Sequence, residues 1–401
     1  MSIWSIVFKS LRQHALSTVV TSISIALAGG LLMAVWVVKD QAQATFTQVD
    51  AGFDAVLGAR SSKLQLVLNA VFHLEASPAN IAWSDVLEIQ KHPNVELAVP
   101  IAMGDNYHGY RVVGTTEEMF TKSEYAPGKR FVAQKPGRFF DPKLREAVAG
   151  SFVARKLGLT YGSKFHPHHG LNHDEDHEHE EEYVVVGILE PSNTPADKVL
   201  WIPLEGVQNM SGHSAETATD VSAVLVKLRS VMAGPSLEQL YNRKGTKLTF
   251  AWPIGATMAE LFNKIGWFDR VLALVAALVA VVAAGSVLAS IYNSMNERRR
   301  QIAILRALGA RRSIIARTVV LEAVAIAVIG SVVSYVFYGV ILATSGAVIR
   351  AQTGVVLDAF AWHPMLAWTP VGLITLSALA GIIPALKAYH TDVAAHLAPT
   401  D

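Results

Sequence analysis

Four long apolar runs constrain this chain more than any other feature. They are HALSTVVTSISIALAGGLLMAVWVV (14–38), RVLALVAALVAVVAAGSVLASIY (270–292), VVLEAVAIAVIGSVVSYVFYGVILA (319–343) and MLAWTPVGLITLSALAGIIPAL (365–386). Crossing a hydrocarbon core takes about 20 helical residues, and each run reaches that length. A composition of 51% hydrophobic and 17% charged residues agrees with a membrane protein. The first run can also be read as a secretory signal, with Lys9 and Arg12 ahead of it and Ala42, Gln43 and Ala44 offering a small-residue cleavage site. Its length exceeds the usual signal core of roughly 7–15 residues, which favours a span.

The cations give an orientation. Arg298, Arg299, Arg300, Arg306, Arg311, Arg312 and Arg317 crowd the connection between the second and third runs, so the positive-inside rule puts that connection in the cytoplasm. Lys9 and Arg12 before the first run and Lys387 after the fourth agree. The expected fold class is therefore an α-helical membrane protein with four transmembrane helices. A large mixed α/β extracytoplasmic domain lies between the first and second spans, and both termini are cytoplasmic. The expected divisions are an interfacial amphipathic helix (1–13), span one (14–38), the outer domain (39–269), span two (270–292), a cytoplasmic coupling helix (293–318), span three (319–343), a short outer loop (344–364), span four (365–386) and a cytoplasmic tail (387–401).

Within 1–13, Ile3, Trp4, Val7, Phe8 and Leu11 recur at helical spacing, opposite Lys9, Arg12 and His14. This predicts either a helix lying in the membrane interface or an extension of the first span. In the outer domain a helix is expected to end before Pro93 and a second over REAVAGSFVARKLGL, with Val148, Phe152, Val153 and Leu157 on one side. Strands are expected in EEYVVVGILEP, KVLWIPLEGV and AVLVKLR from their β-branched runs. Segments 41–75 and 253–269 read as helices continuing out of the spans, and the apolar KLQLVLNAVFHLE reads as buried core rather than a lipid or substrate contact.

The connection NERRRQIAILRALGARRSIIARTVVLEA sets Ile302, Ile304, Leu305 and Leu308 beside an arginine-studded face and places Gly309 where a helix C-cap belongs. A purely electrostatic anchor needs the arginines but not the apolar face, so a protein partner explains the pattern better. ERRRQIAILRALGARRSIIARTVVLEAV resembles the signature segment joining the second and third spans of FtsX/MacB-type ABC transporter permeases. GIIPALKAYHTDVAAHL resembles the closing segment of that family, and GRFFDPKLREAVAGSFVARKLGLTYGSKF followed by VVVGILE resembles its periplasmic core domain. Gln301 departs from the family's frequent glutamate.

The resemblance implies a bacterial inner-membrane permease, paired as a homodimer among membrane lipid. A separate ABC ATPase dimer grips it from the cytoplasm and, by closing on ATP/Mg2+, moves the outer domains. On this chain the ATPase contact maps to Glu297, Arg298, Ile302, Ala303, Arg306, Ala307 and Gly309. The chain has no G-x-x-x-x-G-K-[ST] loop, so the motor is expected on another chain and this one is expected to be non-catalytic. No nucleic-acid partner is expected.

One segment stands apart from this plan. HPHHGLNHDEDHEHEEEY (166–183) holds six histidines and seven carboxylates, and the chain has no cysteine. It reads as a His-rich hairpin loop (166–182) between a helix ending near Lys164 and the VVVGILE strand. Imidazole and carboxylate suit zinc, copper or nickel. His173, His177 and His179 are spaced to reach one ion, and His166, His168 and His169 to close that site or form a second. The length and density of the tract favour a metal-linked role over a solvated acidic loop, with Zn2+ the favoured ion. A zinc-protease motif is absent, since Glu181 stands where His177-Glu178 would need a second histidine.

A zinc channel is disfavoured as well, because Glu322 is the one acidic residue in the last three spans and reads as an interfacial partner for an arginine or the coupling helix. His73, His92, His108, His213 and His363 read as structural or solvated. Gly29-Gly30 permits a close helix contact, either in a dimer or within one subunit. Three functions remain open. One is an exporter of an envelope lipoprotein, peptide or small hydrophobic compound. Another is a zinc-acquisition component working with a periplasmic adaptor or metal-binding lipoprotein, and the last is a non-transport lever that regulates a periplasmic enzyme.

Overall fold

In the computed structural model the described residues are 3–48, 52–170, 179–210, 219–297, 304, 309–358 and 361–390. Arg298, Ile302, Ala303, Arg306, Ala307, His173, His177 and His213 lie outside them. The chain divides into two compact units: 1–41, 266–347 and 357–401 form one, and 42–265 with 348–356 the other.

In the first unit the four apolar runs fall within four helices that are long and apolar enough to cross a membrane: Ala15–Thr47, Ile254–Glu297, Arg312–Thr353 and Pro364–Lys387. Small residues let the helices of this unit approach closely. A Cβ on Gly30 would stand 2.6 Å from the Phe337 Cβ and 3.0 Å from the Ser334 carbonyl oxygen, and one on Gly29 2.9 Å from Ser334 Cβ. Gly29-Gly30 therefore packs against the third apolar helix of its own subunit. Gly330 returns the contact, since a Cβ there would stand 2.7 Å from Ile25 Cβ, and Ile25, Ala28, Val287, Ala323, Ala327 and Leu373 pack together in this unit. The N-terminal segment forms a helix, Ile3–Gln13, with Trp4 and Phe8 exposed and Val7 and Ser10 buried. Ser10 Oγ donates to the buried Glu322 carboxylate, a partner the sequence did not suggest.

The second unit is built on a sheet of ten strands among the described residues: β1 Ala55–Ala59, β2 Val95–Tyr107, β3 Tyr110–Thr115, β4 Glu146–Ala149, β5 Lys164–Phe165, β6 His168–His169, β7 Tyr183–Ile188, β8 Leu200–Pro203, β9 Ala223–Leu228 and β10 Leu248–Ala251. Their order is β10-β1-β9-β2-β3-β8-β4-β7-β5, with β6 paired to β2. Both faces are covered, and successive side chains take opposite sides as the pleat requires. Ala55, Leu57, Val224 and Val226 join one core, while Val56, Ala223 and Leu225 join the other.

The three expected strands form as β7, β8 and β9, although LEGV after β8 turns into a short helix, Leu204–Gln208. The expected helix over REAVAGSFVARKLGL is confined to Ser151–Leu157, ended by Gly158 in the left-handed conformation at φ 66. Glu146–Ala149 instead forms β4, because pairing with β7 and β8 outweighs the helical preference of Glu and Ala. The helix expected to end near Lys164 thus ends at Leu157, and Lys164–Phe165 is a strand. Segment 41–75 is helical only to Gln48, then runs through β1 into the helix Lys63–Ala70, whose Leu66, Val67 and Ala70 are core.

Candidate metal centre

The His-rich insertion starts and ends on one hairpin base. β5 pairs antiparallel with β7, Lys164 opposite Val184 and Phe165 opposite Tyr183, and an exposed Lys164–Glu182 ion pair at 2.7 Å lies beside this pairing. Beyond Phe165 the chain crosses to another strand. β6 pairs with the end of β2, His169 opposite Asp105 and His168 opposite Asn106. Asn106 holds this crossing, its Nδ2 donating to the Gly170 carbonyl at 3.0 Å and its Oδ1 accepting from Gly109 N at 3.0 Å. Gly170 turns the chain at φ 89, and its N–H donates to the Gly104 carbonyl at 2.9 Å. The return limb is pinned where the His179 N–H donates to the Pro167 carbonyl at 3.0 Å.

These bonds bring His169 and His179 to the same carboxylate. His169 Nδ1 lies 3.2 Å and His179 Nε2 3.1 Å from Asp105 Oδ1. One ligand atom from each of the three lies within 4.8 Å of the other two. The imidazole rings meet edge to face with centroids 5.6 Å apart. Asp105 is 1% exposed and His179 7%, while His169 is 54% exposed, so two of the three candidate ligands are buried.

The chemistry of this donor set fits a small divalent cation. Tetrahedral zinc with bonds of 2.0–2.1 Å places its ligand atoms about 3.3 Å apart, close to the two observed separations. The same separations suit N–H···O bonds in the tautomers that carry hydrogen at those nitrogens, and an entering ion requires each ring to present a bare nitrogen there instead. Among the described residues the buried Asp105 Oδ2 has no hydrogen-bond partner. A buried carboxylate oxygen ordinarily has one, and a bound cation would supply it.

Of the expected histidines, His169 and His179 enter this group. His166 instead faces the His179 carbonyl through Nδ1 at 3.3 Å and Glu182 through Nε2 at 3.9 Å. His168 is 5% exposed and stacks parallel to Tyr107, centroids 6.4 Å apart. Asp105 was not foreseen.

At the expected ATPase contact, the helix Ile254–Glu297 ends at Glu297, which pairs with His14 at 3.1 Å. Gly309 has φ 97, a left-handed geometry suited to a helix C-cap.

Comparison with known proteins bears on the whole chain. Residues 15–240 match the family model of the MacB-like periplasmic core domain, and 273–393 match that of the FtsX-like permease C-terminal region. Among solved structures, the extracellular domain of the noncanonic ABC-type transporter YknZ from Gram-positive bacteria aligns at 18% identity and TM-score 0.31, covering 49% of this chain and 98% of that one. The periplasmic region of MacB from Actinobacillus actinomycetemcomitans aligns at 12% identity and TM-score 0.35, covering 54% and 94%. No curated protein matches. The first family match spans more than half of the sequence and the second takes in three of its four membrane-capable helices: the chain belongs to the FtsX/MacB-like family of ABC transporter permeases.

Proposed function

We propose that this permease couples ATP hydrolysis on a separate ATPase dimer to motion of its outer domain, and that zinc bound at Asp105, His169 and His179 is part of its work on an envelope substrate. Both termini and the arginine-rich connection face the cytoplasm, where Glu297, Arg298, Ile302, Ala303, Arg306, Ala307 and Gly309 form the ATPase contact. Two copies pair in the inner membrane, and a periplasmic adaptor or metal-binding lipoprotein meets the outer domains. Support for the orientation comes from the cluster of arginines between the second and third apolar helices.

The observation that carries the zinc reading is the buried Asp105 carboxylate, joined by two imidazoles and with no partner for Oδ2 among the described residues. Zinc there ties the rim of β2 to both limbs of the insertion, so that metal occupancy fixes a surface loop to the main sheet. A protein partner or a metal carrier then reads a face on which the ion joins His169, His179 and Asp105.

The test is a zinc titration by calorimetry on the detergent-solubilised full chain, beside a version with 166–182 replaced by a Gly/Ser linker. Sub-micromolar binding of one ion, lost in the replacement, is expected. Weak binding shared equally with nickel and copper would sink the zinc role and leave the loop incidental to an exporter of lipoproteins or peptides.

A further inference from the structure

The second unit contains a cavity of about 220 Å³ away from the histidine insertion, lined among others by Phe72, His73, Arg111, Lys198, Val199 and Gln352. Its polar walls come from distant parts of the sequence. Arg111 stands on β3, Lys198 ends the 3-10 turn Pro195–Lys198 ahead of β8, and Gln352 belongs to the last turn of the helix Arg312–Thr353. His73 follows the helix Lys63–Ala70 and adopts φ 56, a left-handed conformation that is uncommon outside glycine. Hydrogen bonds from Phe72 N to the Val67 carbonyl, His73 N to that of Asn69 and Leu74 N to that of Leu68 hold this turn. Strain of this kind persists where the surroundings fix it, and it gathers at binding sites.

The charge is one-sided. Arg111 and Lys198 are half-buried, and among the described residues neither has a carboxylate within ion-pair distance. Each is anchored through a neutral carbonyl. Lys198 Nζ donates to Gln352 O at 2.6 Å, and Arg111 Nη2 to Glu75 O at 3.3 Å. Both keep further N–H donors. Burial lowers the pKa of each, and for Arg111 the more distant Glu75 charge opposes that shift in part. His73 responds as a neighbour of excess positive charge should: burial first, then Arg111 and Lys198, lower its pKa to about 3, so the ring is neutral. Its Nδ1 is buried and has no hydrogen-bond partner among the described residues. Two partly desolvated cations beside a neutral imidazole form an arrangement that an anion completes. A guanidinium fork with an ammonium beside it is the donor set that phosphate oxygens take.

We propose that this cavity binds a phosphate-class oxyanion, with Arg111 and Lys198 as its charged donors and the neutral His73 ring in its wall. Two cations with no carboxylate in contact are matched best by a group able to carry two negative charges, which favours phosphate over a simple carboxylate. The phosphoryl group comes either from a soluble phosphate or from an anionic lipid headgroup. The second source is tested because the helix that carries Gln352 is apolar enough to span a bilayer.

The test uses the full chain in a neutral detergent at low ionic strength. Inorganic phosphate is titrated by calorimetry in one arm and dihexanoyl phosphatidylglycerol in the other, with acetate as the comparison anion. The variants are Lys198→Gln, Arg111→Gln, Lys198→Arg and Arg130→Gln, the last removing an exposed cation already paired with Glu124 at 3.3 Å. Saturable binding of at least one phosphate probe is expected, weakened about tenfold or more in Lys198→Gln and in Arg111→Gln. It should be retained in Lys198→Arg and unchanged in Arg130→Gln, and the tighter probe identifies the source. Retention in Lys198→Arg separates loss of a ligand from misfolding. Absence of saturation with both phosphate probes, equal affinity in wild type and Lys198→Gln, or acetate binding as tight as phosphate would overturn the proposal.

Discussion

Replacing Asp105 by asparagine should move stability in opposite directions with and without zinc. Asp105 is 1% exposed, shares Oδ1 between two imidazoles and has no partner for its buried Oδ2 among the described residues. An unsatisfied buried polar group costs about 1–3 kcal/mol, more when charged. The introduced amide would keep the Oδ1 acceptor and remove the charge. Asp105→Asn in chelator is therefore expected to be more stable than wild type by about 1 kcal/mol, the low end of that range because the new amide NH2 also lacks partners. For a unit of this size that is a rise of about 2–4 °C in the midpoint. With zinc at a hundredfold excess over its dissociation constant, wild type should gain about 2.7 kcal/mol by mass action. The variant loses its anionic ligand and should gain almost none of this. The two melting curves thus cross: the variant is the more stable in chelator and the less stable in zinc. Tryptophan-monitored thermal unfolding of the solubilised chain reads both conditions. Equal zinc-induced shifts in the two proteins would refute the ligand role of Asp105, and a variant less stable than wild type in chelator would refute the claim that its carboxylate is buried at a cost.

Two further predictions concern the scaffold. Gly30→Ala sets a Cβ 2.6 Å from Phe337 Cβ and 3.0 Å from backbone atoms of Ser334 and Tyr338, and should destabilise by about 1–3 kcal/mol. Gly285→Ala meets nothing within 4 Å and should gain up to about 1 kcal/mol of helix propensity; thermal midpoints of the two variants in detergent are expected to fall on opposite sides of wild type. Glu146 is buried on β4 against Arg138, whose hydrogen bonds hold the carboxyl below its usual 4.5. A depressed pKa gives stability that is present above that ordinary value and lost as pH falls through the folded one. Glu146→Gln should therefore be less stable than wild type at pH 7, with the gap closing below pH 4.5 in a pH series of thermal midpoints.

The long runs were legible because a membrane span is specified by composition alone. Twenty apolar residues in sequence leave few other structures open, and no distant partner is needed to define them. The second unit was legible where a strand is strongly β-branched, as in Tyr183–Ile188 and Ala223–Leu228. It was misread at Glu146–Ala149, whose residues favour a helix and whose strand state depends on pairing with β7 and β8. Asp105 was hidden for a related reason. Gly104, Asp105 and Asn106 have the composition of a turn. In the fold they end a thirteen-residue strand, just past a register shift between Met103 and Asp105.

Adjacent positions on β2, Asp105 and Asn106 take opposite faces of a sheet that is covered on both, and both are buried. Asn106 fixes the crossing at Gly170 while Asp105 meets the two imidazoles. His169 and His179 are ten positions apart and meet only because β6 docks on β2 and the Pro167 carbonyl takes the His179 N–H. A histidine count alone therefore identifies a metal-prone segment without selecting its ligands. The selection is made by a carboxylate more than sixty residues upstream. If zinc binds as proposed, affinity should follow Asp105 and the register of β2 more closely than the number of histidines in the tract. Histidine-to-alanine variants at His166 or His168 should then leave the tightest zinc site almost unchanged, while His179→Ala removes it.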